Sequence, residues 1–349
     1  HPGFRIHDDD RVLTRPELLC GVRGADALLP LLTDRIDAGV LDAAGPRLKI
    51  VANMAVGYDN IDLPAATARG VLVTNTPGVL TDATAEHAWA LLFSVARRVP
   101  ESERYLRGGK FHGWGPLLFL GGAVGGRTLG IVGAGRIGSA VAMKSRGFGM
   151  RVLYTARSDK PRLEADTGAR RVGLEELLRE SDFVSLHVPL LPETTHLIDA
   201  GTLRLMKPTA YLVNTGRGPL VDEGALAAAL EAGVLAGAAL DVFENEPAVH
   251  PDLLRLDNVV LTPHTASATV ESRSKMAVMA AQNLVAGLAG QAPPNLLNPP
   301  AAGSGRSGGS APGERGRRGF RSVRHPRGRR SPRITSQCPR CTSTPSLPG

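Results

Sequence analysis

Residues 130–138 read Gly130-Ile131-Val132-Gly133-Ala134-Gly135-Arg136-Ile137-Gly138, an apolar run that leads into Gly-x-Gly-x-x-Gly. Strands are predicted before and after it, over Thr128–Val132 and Arg151–Tyr154, with a helix over Ser139–Arg146 between them. In that setting the first glycine allows a tight turn, the second lets a phosphate approach the backbone, and the third packs the helix against the strand. The stretch therefore predicts a dinucleotide site to which residues 133–138 contribute.

Strands and helices alternate along the rest of the chain. Further strands are predicted over Asp26–Leu32, Leu48–Asn53, Val71–Asn75, Asp182–Val188, Ala210–Asn214, Ala236–Val242 and Asn258–Thr262. Helices are predicted over Arg15–Arg23, Leu63–Arg69, Thr81–Arg98, Leu174–Glu180, Ala200–Met206, Glu223–Ala232 and Ser272–Leu288. Candidate caps for the helix that begins at residue 81 are Thr81, Asp82 and Thr84. The pattern predicts an α/β protein with parallel sheets, doubly wound over residues 128–262, and a ligand at the carboxyl ends of its strands.

The charge of the chain is unevenly distributed. Its 349 residues are enough for two domains and carry a formal net charge of +8. Residues 301–349 hold eleven arginines and one glutamate, net +10, which leaves residues 1–300 at −2. A mildly acidic body has no basic face for a polyanion, so the composition argues against a nucleic acid partner. We expect residues 299–349 to be a disordered basic tail, with a functional tail or a misread end as alternatives.

Cysteine usage favours a reducing compartment. Residues 1–298 contain Cys20, and Cys338 and Cys341 form a lone Cys-x-x-Cys, too few for a disulfide framework or a four-ligand zinc site. No apolar run approaches the roughly 18 residues that cross a bilayer, and we find no signal segment. We therefore expect a cytoplasmic protein with no membrane span and no bound metal.

Three loops that follow predicted strands each carry a residue suited to ketone reduction. Arg217 can clamp a carboxylate with its planar fork. His264, with an unperturbed pKa near 6.5, can give a proton to the alkoxide that hydride transfer leaves. Glu246 is assigned to keep that imidazole protonated, because a neighbouring carboxylate raises a histidine pKa. Taken singly each of the three could be structural, as we expect of His87 and His187, so the prediction rests on their joint occurrence.

The end of the strand after the glycine motif bears on the choice between NAD(H) and NADP(H). NAD enzymes place an acidic residue about twenty positions after the motif, where it binds the ribose hydroxyls. Here Ala156 stands eighteen residues after Gly138, and Arg157 and Ser158 follow it. Because arginine accommodates a 2′-phosphate, we expect NADP(H) to be preferred. NAD(H) is the alternative if Asp159 turns back to the ribose.

Six runs of sequence, taken in order, resemble the D-2-hydroxyacid dehydrogenases, and within them the glyoxylate and hydroxypyruvate reductase branch. They are residues 51–62 (VANMAVGYDNID), 74–86 (TNTPGVLTDATAE), 133–138, 214–219 (NTGRGP), 241–247 (DVFENEP) and 263–264 (PH). The resemblance extends from about residue 5 to residue 298. The chain departs from the family at Gly216, where Ala is usual, and at Thr265-Ala266, where Ile-Gly is usual. We expect the Cβ of Ala266 to lower cofactor affinity.

The resemblance implies two doubly wound parallel-sheet domains, a Rossmann-type cofactor domain inserted in a flavodoxin-like substrate domain. The substrate domain would comprise residues 1–98, without the family's first strand and helix. The cofactor domain would comprise residues 99–270, and residues 271–298 would return as a helix to the substrate domain.

The resemblance also implies roles for individual residues. The arginine, glutamate and histidine named above would be the catalytic set, with His264 as the proton donor. Backbone amides at Val56 and Gly57 would meet the substrate carboxylate, and Trp114 would reach the partner's site in a homodimer. Further cofactor contacts are implied for Val188, Pro189, Thr194, Thr215, Gly216, Asp241, Thr265 and Ala266.

The activity that the resemblance implies is NAD(P)H-dependent reduction of a small 2-oxo acid, glyoxylate to glycolate and hydroxypyruvate to D-glycerate. Another family member, such as a phosphoglycerate or formate dehydrogenase, is an alternative. Glu246 argues against the formate enzymes, which pair their histidine with glutamine. An alternative of a different class is a nucleotide-sensing protein like the family's corepressors, with the basic tail as its contact surface.

Overall fold

The computed structural model describes residues 3–7, 9 and 11–298. Their strands form two sheets, one of three strands and one of seven, and the paired strands are parallel. This confirms the predicted α/β class. None of the helices in this part of the chain is long and apolar enough to cross a membrane. The predicted tail, residues 299–349, with Cys338 and Cys341, lies outside the described residues.

The smaller sheet has the strand order β1-β2-β3. Its strands are β1 (Ala27–Leu28), β2 (Ile50–Ala52) and β3 (Leu72–Thr74), and its helices are α1 (Arg15–Gly21), α2 (Ala38–Ala44) and α3 (Leu63–Ala68). All of β2 is buried, as expected for a central parallel strand covered on both faces. The carboxyl ends of β2 and β3 lead into the loops that contain residues 53–60 and 75–80, which form one side of the site described below.

The long helix α4 (Thr81–Ala96) follows the smaller sheet and packs on the larger one. It also contacts the helix that follows the glycine motif, where Nε1 of Trp89 donates to the carbonyl oxygen of Val141 at 3.0 Å. The helix begins at the predicted residue, but the cap prediction was wrong. Leu80 is the N-cap residue, and no side chain caps the helix. The three candidates lie inside the first turn, where Thr84 is buried by packing. A left-handed residue, Arg98 with φ of +52°, then separates α4 from α5 (Val99–Arg107), which the sequence did not predict.

The larger sheet has the order β10-β9-β8-β7-β4-β5-β6. Its strands are β4 (Thr128–Val132), β5 (Arg151–Thr155), β6 (Arg170–Arg171), β7 (Phe183–Leu186), β8 (Tyr211–Asn214), β9 (Gly237–Leu240) and β10 (Val259–Leu261). Its helices are α6 (Arg136–Lys144), α7 (Pro161–Thr167), α8 (Leu174–Glu180), α9 (Ala200–Leu203) and α10 (Glu223–Glu231). The order reverses between β4 and β7, the point at which a doubly wound sheet opens a crevice at its carboxyl ends. The glycine motif follows β4 directly.

The last helix, α11 (Val270–Leu288), returns the chain to the smaller sheet. Gly287 packs against β2, since a Cβ on it would lie 2.6 Å from Cδ1 of Ile50. Beyond the helix, Oδ1 of Asn298 accepts the backbone N–H of Val73 at 2.7 Å. The described chain therefore ends beside β3, next to the strands that lead into the loops at 53–60 and 75–80.

Candidate active site

The glycine turn after β4 keeps open space at the start of α6. Gly133 has φ of +97°, and a Cβ on it would lie 2.7 Å from Cγ1 of Val188. A Cβ on Gly138 would overlap the carbonyl oxygen of Gly133, whereas a Cβ on Gly135 would meet nothing within 4 Å. Gly135 is also the N-cap of α6 and supplies no side-chain cap, which leaves first-turn amides to an external acceptor. The turn thus fits the pyrophosphate of a dinucleotide.

The predicted proton donor and its carboxylate partner lie together. Nδ1 of His264 is 2.8 Å from Oε2 of Glu246, and Oε1 of Glu246 accepts the backbone N–H of Phe243 at 3.0 Å. The two side chains are 28% and 32% exposed, within reach of a small solute. Burial raises the pKa of Glu246, but the hydrogen bond and charge of His264 and the Phe243 amide outweigh it, and the pKa lies below its ordinary value. The carboxylate is therefore ionised at neutral pH.

Asp241 holds the loop that carries the histidine. Its carboxylate is fully buried and accepts Oγ1 of Thr262 at 2.6 Å and the backbone amides of Thr265 and Ala266 at 2.8 Å each. The backbone N–H of His264 donates to the Asp241 carbonyl at 2.8 Å, and His264 has φ of +52°, a left-handed backbone that non-glycine residues seldom adopt. Burial would raise the pKa of Asp241, but its hydrogen-bond donors outweigh burial and lower it. Three residues predicted to contact the cofactor, Asp241, Thr265 and Ala266, are therefore joined by hydrogen bonds.

Arg217 reaches from the larger sheet to the loop that follows β2. Its Nε donates to Oδ1 of Asp59 at 2.9 Å, and its Nη1 donates to the carbonyl oxygen of Gly216 at 2.9 Å. A Cβ on Gly57 would overlap the guanidinium at Nη2, so the two groups are in close contact. The structure therefore brings the predicted arginine to the predicted substrate loop at 56–57. Asp59 was not predicted.

Two asparagines that the sequence analysis did not single out hold this loop. Nδ2 of Asn75 donates to the carbonyl oxygen of Val56 at 2.8 Å, and Nδ2 of Asn53 donates to that of Gly57 at 2.9 Å. Asn53 is fully buried and Asn75 nearly so. With both carbonyl groups engaged, the peptide planes of the loop are held in one orientation. A signal for them existed, because each asparagine directly follows a buried strand.

The loop after β5 begins with the three residues predicted to set cofactor preference, Ala156, Arg157 and Ser158. Arg157 is exposed, and its Nη2 lies 3.2 Å from Oε1 of Glu193 on the loop after β7. Asp159, on which the NAD(H) alternative depends, is 2.8 Å from Nη1 of Arg171.

Loops after β7 and β8 carry further predicted cofactor contacts. Oγ1 of Thr194 donates to the carbonyl oxygen of Pro189 at 2.8 Å, which closes the loop on itself. Gly216 donates its backbone N–H to Oδ1 of Asn214 at 3.0 Å. The hydroxyl of Thr215 is buried and, within the described part of the chain, has no hydrogen-bond partner.

Other candidate side chains stand apart from His264 and Glu246. Trp114 is 86% exposed. Burial lowers the pKa of His187 to about 4, so it is neutral, and its ring nitrogen lies 2.8 Å from Oγ of Ser185. Nε2 of His87 is 3.3 Å from Oδ1 of Asp241, beside that buried carboxylate. Among residues 3–7, 9 and 11–298, no group of three or more His, Cys, Asp or Glu side chains could hold a metal ion.

Comparison with known proteins identifies the family. The sequence model of the D-isomer specific 2-hydroxyacid dehydrogenase NAD binding domain matches residues 89–266. A glyoxylate reductase of Thermococcus onnurineus is 54% identical over 302 residues, 85% of this chain and 90% of that relative. A glyoxylate reductase of Korarchaeum cryptofilum is 59% identical over 301 residues, with the same coverage of 85% and 90%.

A solved structure agrees with the sequence relatives. The NADPH-dependent glyoxylate/hydroxypyruvate reductase of Sinorhizobium meliloti, in complex with NADP and malonate, is 38% identical and superposes with a TM-score of 0.72. The match covers 78% of this chain and 83% of that one. The chain belongs to the D-isomer specific 2-hydroxyacid dehydrogenase family and is an oxidoreductase.

Proposed function

We propose that this chain reduces glyoxylate to glycolate with a reduced nicotinamide cofactor, and that hydroxypyruvate is a second substrate. The observation that carries the proposal is the joint placement of Arg217 against Gly57 and of His264 against Glu246. An anion-binding cation and a proton donor thus stand at the carboxyl edge of one sheet. Two relatives that are 54% and 59% identical to this chain, over 302 and 301 aligned residues, are named glyoxylate reductase.

The substrate carboxylate is held from both sides of the cleft. Arg217 uses Nε and one Nη1 hydrogen for protein acceptors, which leaves the second Nη1 hydrogen and both Nη2 hydrogens for an anion. A guanidinium fork binds a carboxylate through two parallel N–H···O bonds. The amides of Val56 and Gly57 complete the pocket, in which the adjacent keto oxygen is directed to His264.

His264 delivers the proton. Hydride addition to the keto carbon leaves an alkoxide, and a positioned general acid accelerates such a step by about 10²–10⁴-fold. Glu246 accepts Nδ1–H of the imidazolium, so Nε2–H is the group given to the substrate oxygen. The ionised carboxylate stabilises the charged imidazolium before the proton leaves.

The turn at 133–138 and the loops after β5 and β7 would hold the cofactor. When bound, it supplies the hydride to the keto carbon. Arg157 and Ser158 offer hydrogen-bond donors to a 2′-phosphate, and Ala156 has no carboxylate to repel it. NADP(H) is therefore the preferred cofactor, and NAD(H) is the lesser one.

A homodimer is the functional unit that we propose. The segment around and after the end of α5 exposes large apolar side chains, 53–86% accessible, at Leu106, Phe111, Trp114, Leu117 and Leu120. A concentration of such side chains is typical of an interaction surface. In this dimer Trp114 would reach the partner's substrate cleft, as the family resemblance implies.

A substrate panel tests the proposal. Oxidation of NADPH by the purified full chain is followed with glyoxylate, hydroxypyruvate, pyruvate and phosphohydroxypyruvate. We expect the highest kcat/KM with glyoxylate and the next with hydroxypyruvate. Absence of turnover with glyoxylate, or a preference for phosphohydroxypyruvate, would contradict the proposed substrate.

A further inference from the structure

His87 connects the long helix α4 to the loop that carries His264. Its Nε2 lies 3.1 Å from Oγ1 of Thr262, which is 175 positions further along the chain, and 3.3 Å from Oδ1 of Asp241. Asp241 directly follows β9 and Thr262 directly follows β10, so the imidazole meets the ends of two neighbouring strands. The side chain of His87 is 22% exposed, whereas that of Asp241 is fully buried. The proposed reaction gives His87 no role.

The hydrogen-bond partners decide which nitrogen of His87 carries hydrogen. The ionised Asp241 carboxylate can only accept hydrogen bonds. The hydroxyl of Thr262 has a single hydrogen, which it donates to Oδ1 of Asp241 at 2.6 Å. Toward His87 this hydroxyl is therefore an acceptor as well. Because both neighbours of Nε2 accept hydrogen bonds, Nε2 must be a donor.

The donor matters to Asp241 because a buried carboxylate is stable only when donors surround it. Burial raises the pKa of Asp241, and the hydrogen bond from His87 comes first among the groups that lower it, ahead of Thr262 and two backbone amides. In the part of the chain that the structure describes, no basic side chain other than His87 lies within 4 Å of this carboxylate. Loss of the donor would leave the Asp241 anion with less compensation for its burial.

Asp241 in turn holds the backbone around His264. The Asp241 carbonyl oxygen accepts the N–H of His264 at 2.8 Å. Its carboxylate accepts the N–H groups of Thr265 and Ala266 at 2.8 Å each. The left-handed backbone of His264, with φ of +52°, persists only where such surroundings hold it. A shift of Asp241 would relax this turn, and a misplacement of about 1 Å in a reacting group can cost roughly 10²-fold in rate.

We propose that His87 is a positioning residue for the reduction: its Nε2–H fixes Thr262 and the Asp241 carboxylate and thereby holds the turn that presents His264. His87 acts through these residues and transfers no proton itself. The inference rests on the proposed role of His264 as the proton donor. It predicts a loss in kcat without a loss in substrate binding, because Arg217 and the loop at 56–57 keep their own contacts.

Three variants separate the donor from the bulk of the side chain. His87→Gln keeps an N–H donor at the end of a side chain of similar length, whereas His87→Leu keeps the bulk and removes the donor. Trp89→Phe is the matched control, because it also removes an N–H donor from α4, but that donor meets the carbonyl oxygen of Val141 on α6. Urea unfolding shows how much stability each variant loses.

Steady-state kinetics with glyoxylate at saturating NADPH measure kcat and KM of the full chain. We expect His87→Leu to lower kcat roughly 10- to 100-fold and to leave KM within about threefold of the wild type. His87→Gln should keep kcat within about threefold of the wild type, because the donor is restored. Trp89→Phe should keep kcat within about twofold, whatever stability it loses.

Nitrogen NMR of the full chain with isotope-labelled histidine reports the hydrogen positions of each ring without turnover. The His87 signals are assigned by their absence in His87→Gln. In mildly alkaline buffer we expect wild-type His87 to carry hydrogen on Nε2. The ring signals of His264 should change in His87→Leu and stay near those of the wild type in His87→Gln.

A kcat for His87→Leu within about twofold of the wild type would overturn the proposal, since the expected loss is at least tenfold. Equal losses in His87→Leu and His87→Gln would overturn the role of the donor, and an equal loss in Trp89→Phe would assign the effect to the helix as a whole. If the leucine variant does not fold, a wild-type His87 with hydrogen on Nδ1 alone still overturns the proposal. A wild type that does not reduce glyoxylate refutes the proposed function, while the NMR signals still decide whether His87 holds the turn.

Discussion

Both oxygens of the Glu246 carboxylate have fixed donors: Oε2 lies 2.8 Å from Nδ1 of His264, and Oε1 accepts the backbone N–H of Phe243 at 3.0 Å. The carboxylate cannot turn away from the imidazole without losing the second bond. The two residues come from the loops after β9 and β10, neighbouring parallel strands whose carboxyl ends meet at one edge of the sheet.

Replacing Glu246 by Gln should lower kcat for glyoxylate roughly 10- to 100-fold. The amide keeps a hydrogen bond to the imidazole but loses the charge, and a hydrogen bond to a charged group is worth about 1.5–3 kcal/mol in total. KM should change little, because Glu246 does not bind the substrate carboxylate. Steady-state kinetics of NADPH oxidation measure both quantities.

The matched control for that variant is Glu244→Gln. Glu244 lies on the same loop and contacts a different histidine, His196. We expect its kcat to remain within about twofold of the wild type, in keeping with the small effect of most partly exposed pairs. Equal losses in the two variants would mean that the loop, and not the charge beside His264, sets the rate.

Two of the motif glycines, Gly138 and Gly135, should respond differently to alanine. Gly138→Ala should lower the free energy of unfolding by about 2–3 kcal/mol, because its Cβ would overlap the Gly133 carbonyl oxygen. Gly135→Ala should cost less than about 1 kcal/mol, since its Cβ meets nothing within 4 Å, yet it should weaken NADPH binding roughly tenfold or more. Urea unfolding measures the free energy of unfolding of both variants, and fluorescence titration with NADPH measures their affinity for the cofactor. Normal NADPH affinity in Gly135→Ala would place the pyrophosphate elsewhere.

Cofactor preference should depend on Ala156. The wild type should show a higher kcat/KM with NADPH than with NADH, and Ala156→Asp should reverse the order, because a carboxylate there repels a 2′-phosphate and binds ribose hydroxyls. We expect a change of roughly 100-fold in the ratio of the two specificity constants. Asp159→Asn, which alters the partner of Arg171, is the control and should leave the ratio near that of the wild type. A wild type that prefers NADH would contradict this account.

Acidification should remove the stability that Asp241 provides. Its folded-state pKa is below the ordinary 3.8, so the contribution is present at neutral pH and is lost as the pH falls below about 4 toward the folded pKa. Asp241→Asn should lower the free energy of unfolding by about 1–3 kcal/mol at pH 7, because an amide cannot accept all of the donors. Urea unfolding of both proteins at several pH values should show the difference shrinking toward pH 3. A difference that does not vary with pH would contradict the assignment.

Features set by local chemistry were accessible from the sequence. The turn at 133–138 was predictable because its glycines are required by contacts within one βαβ unit, and Gly133 indeed has a positive φ. The reactive residues could be placed at strand ends because parallel strands bring their carboxyl ends to one edge. Strand limits were less accurate: residues 182 and 187–188, predicted as strand, lie outside β7 (Phe183–Leu186), because residue 182 precedes the strand and the chain leaves the sheet after Leu186.

Features set by distant contacts were not accessible. Asp59 meets Arg217 across 158 positions, and no periodicity or motif relates the two residues. Asn53 and Asn75 could have been noticed at strand ends, but their hydrogen bonds to Gly57 and Val56 depend on how two loops meet. The prediction of Thr84 as a helix cap failed for a similar reason. Thr84 lies inside the first turn of α4, where packing in the tertiary structure buries it.

His264→Ala tests the central claim most directly. If His264 delivers the proton to the reduced carbonyl, kcat for glyoxylate should fall by roughly 10²–10⁴-fold, while the dissociation constant for NADPH, measured by fluorescence titration, stays within about twofold of the wild type. That combination would place the loss in proton delivery and not in cofactor binding. Wild-type turnover of glyoxylate by His264→Ala would contradict the account.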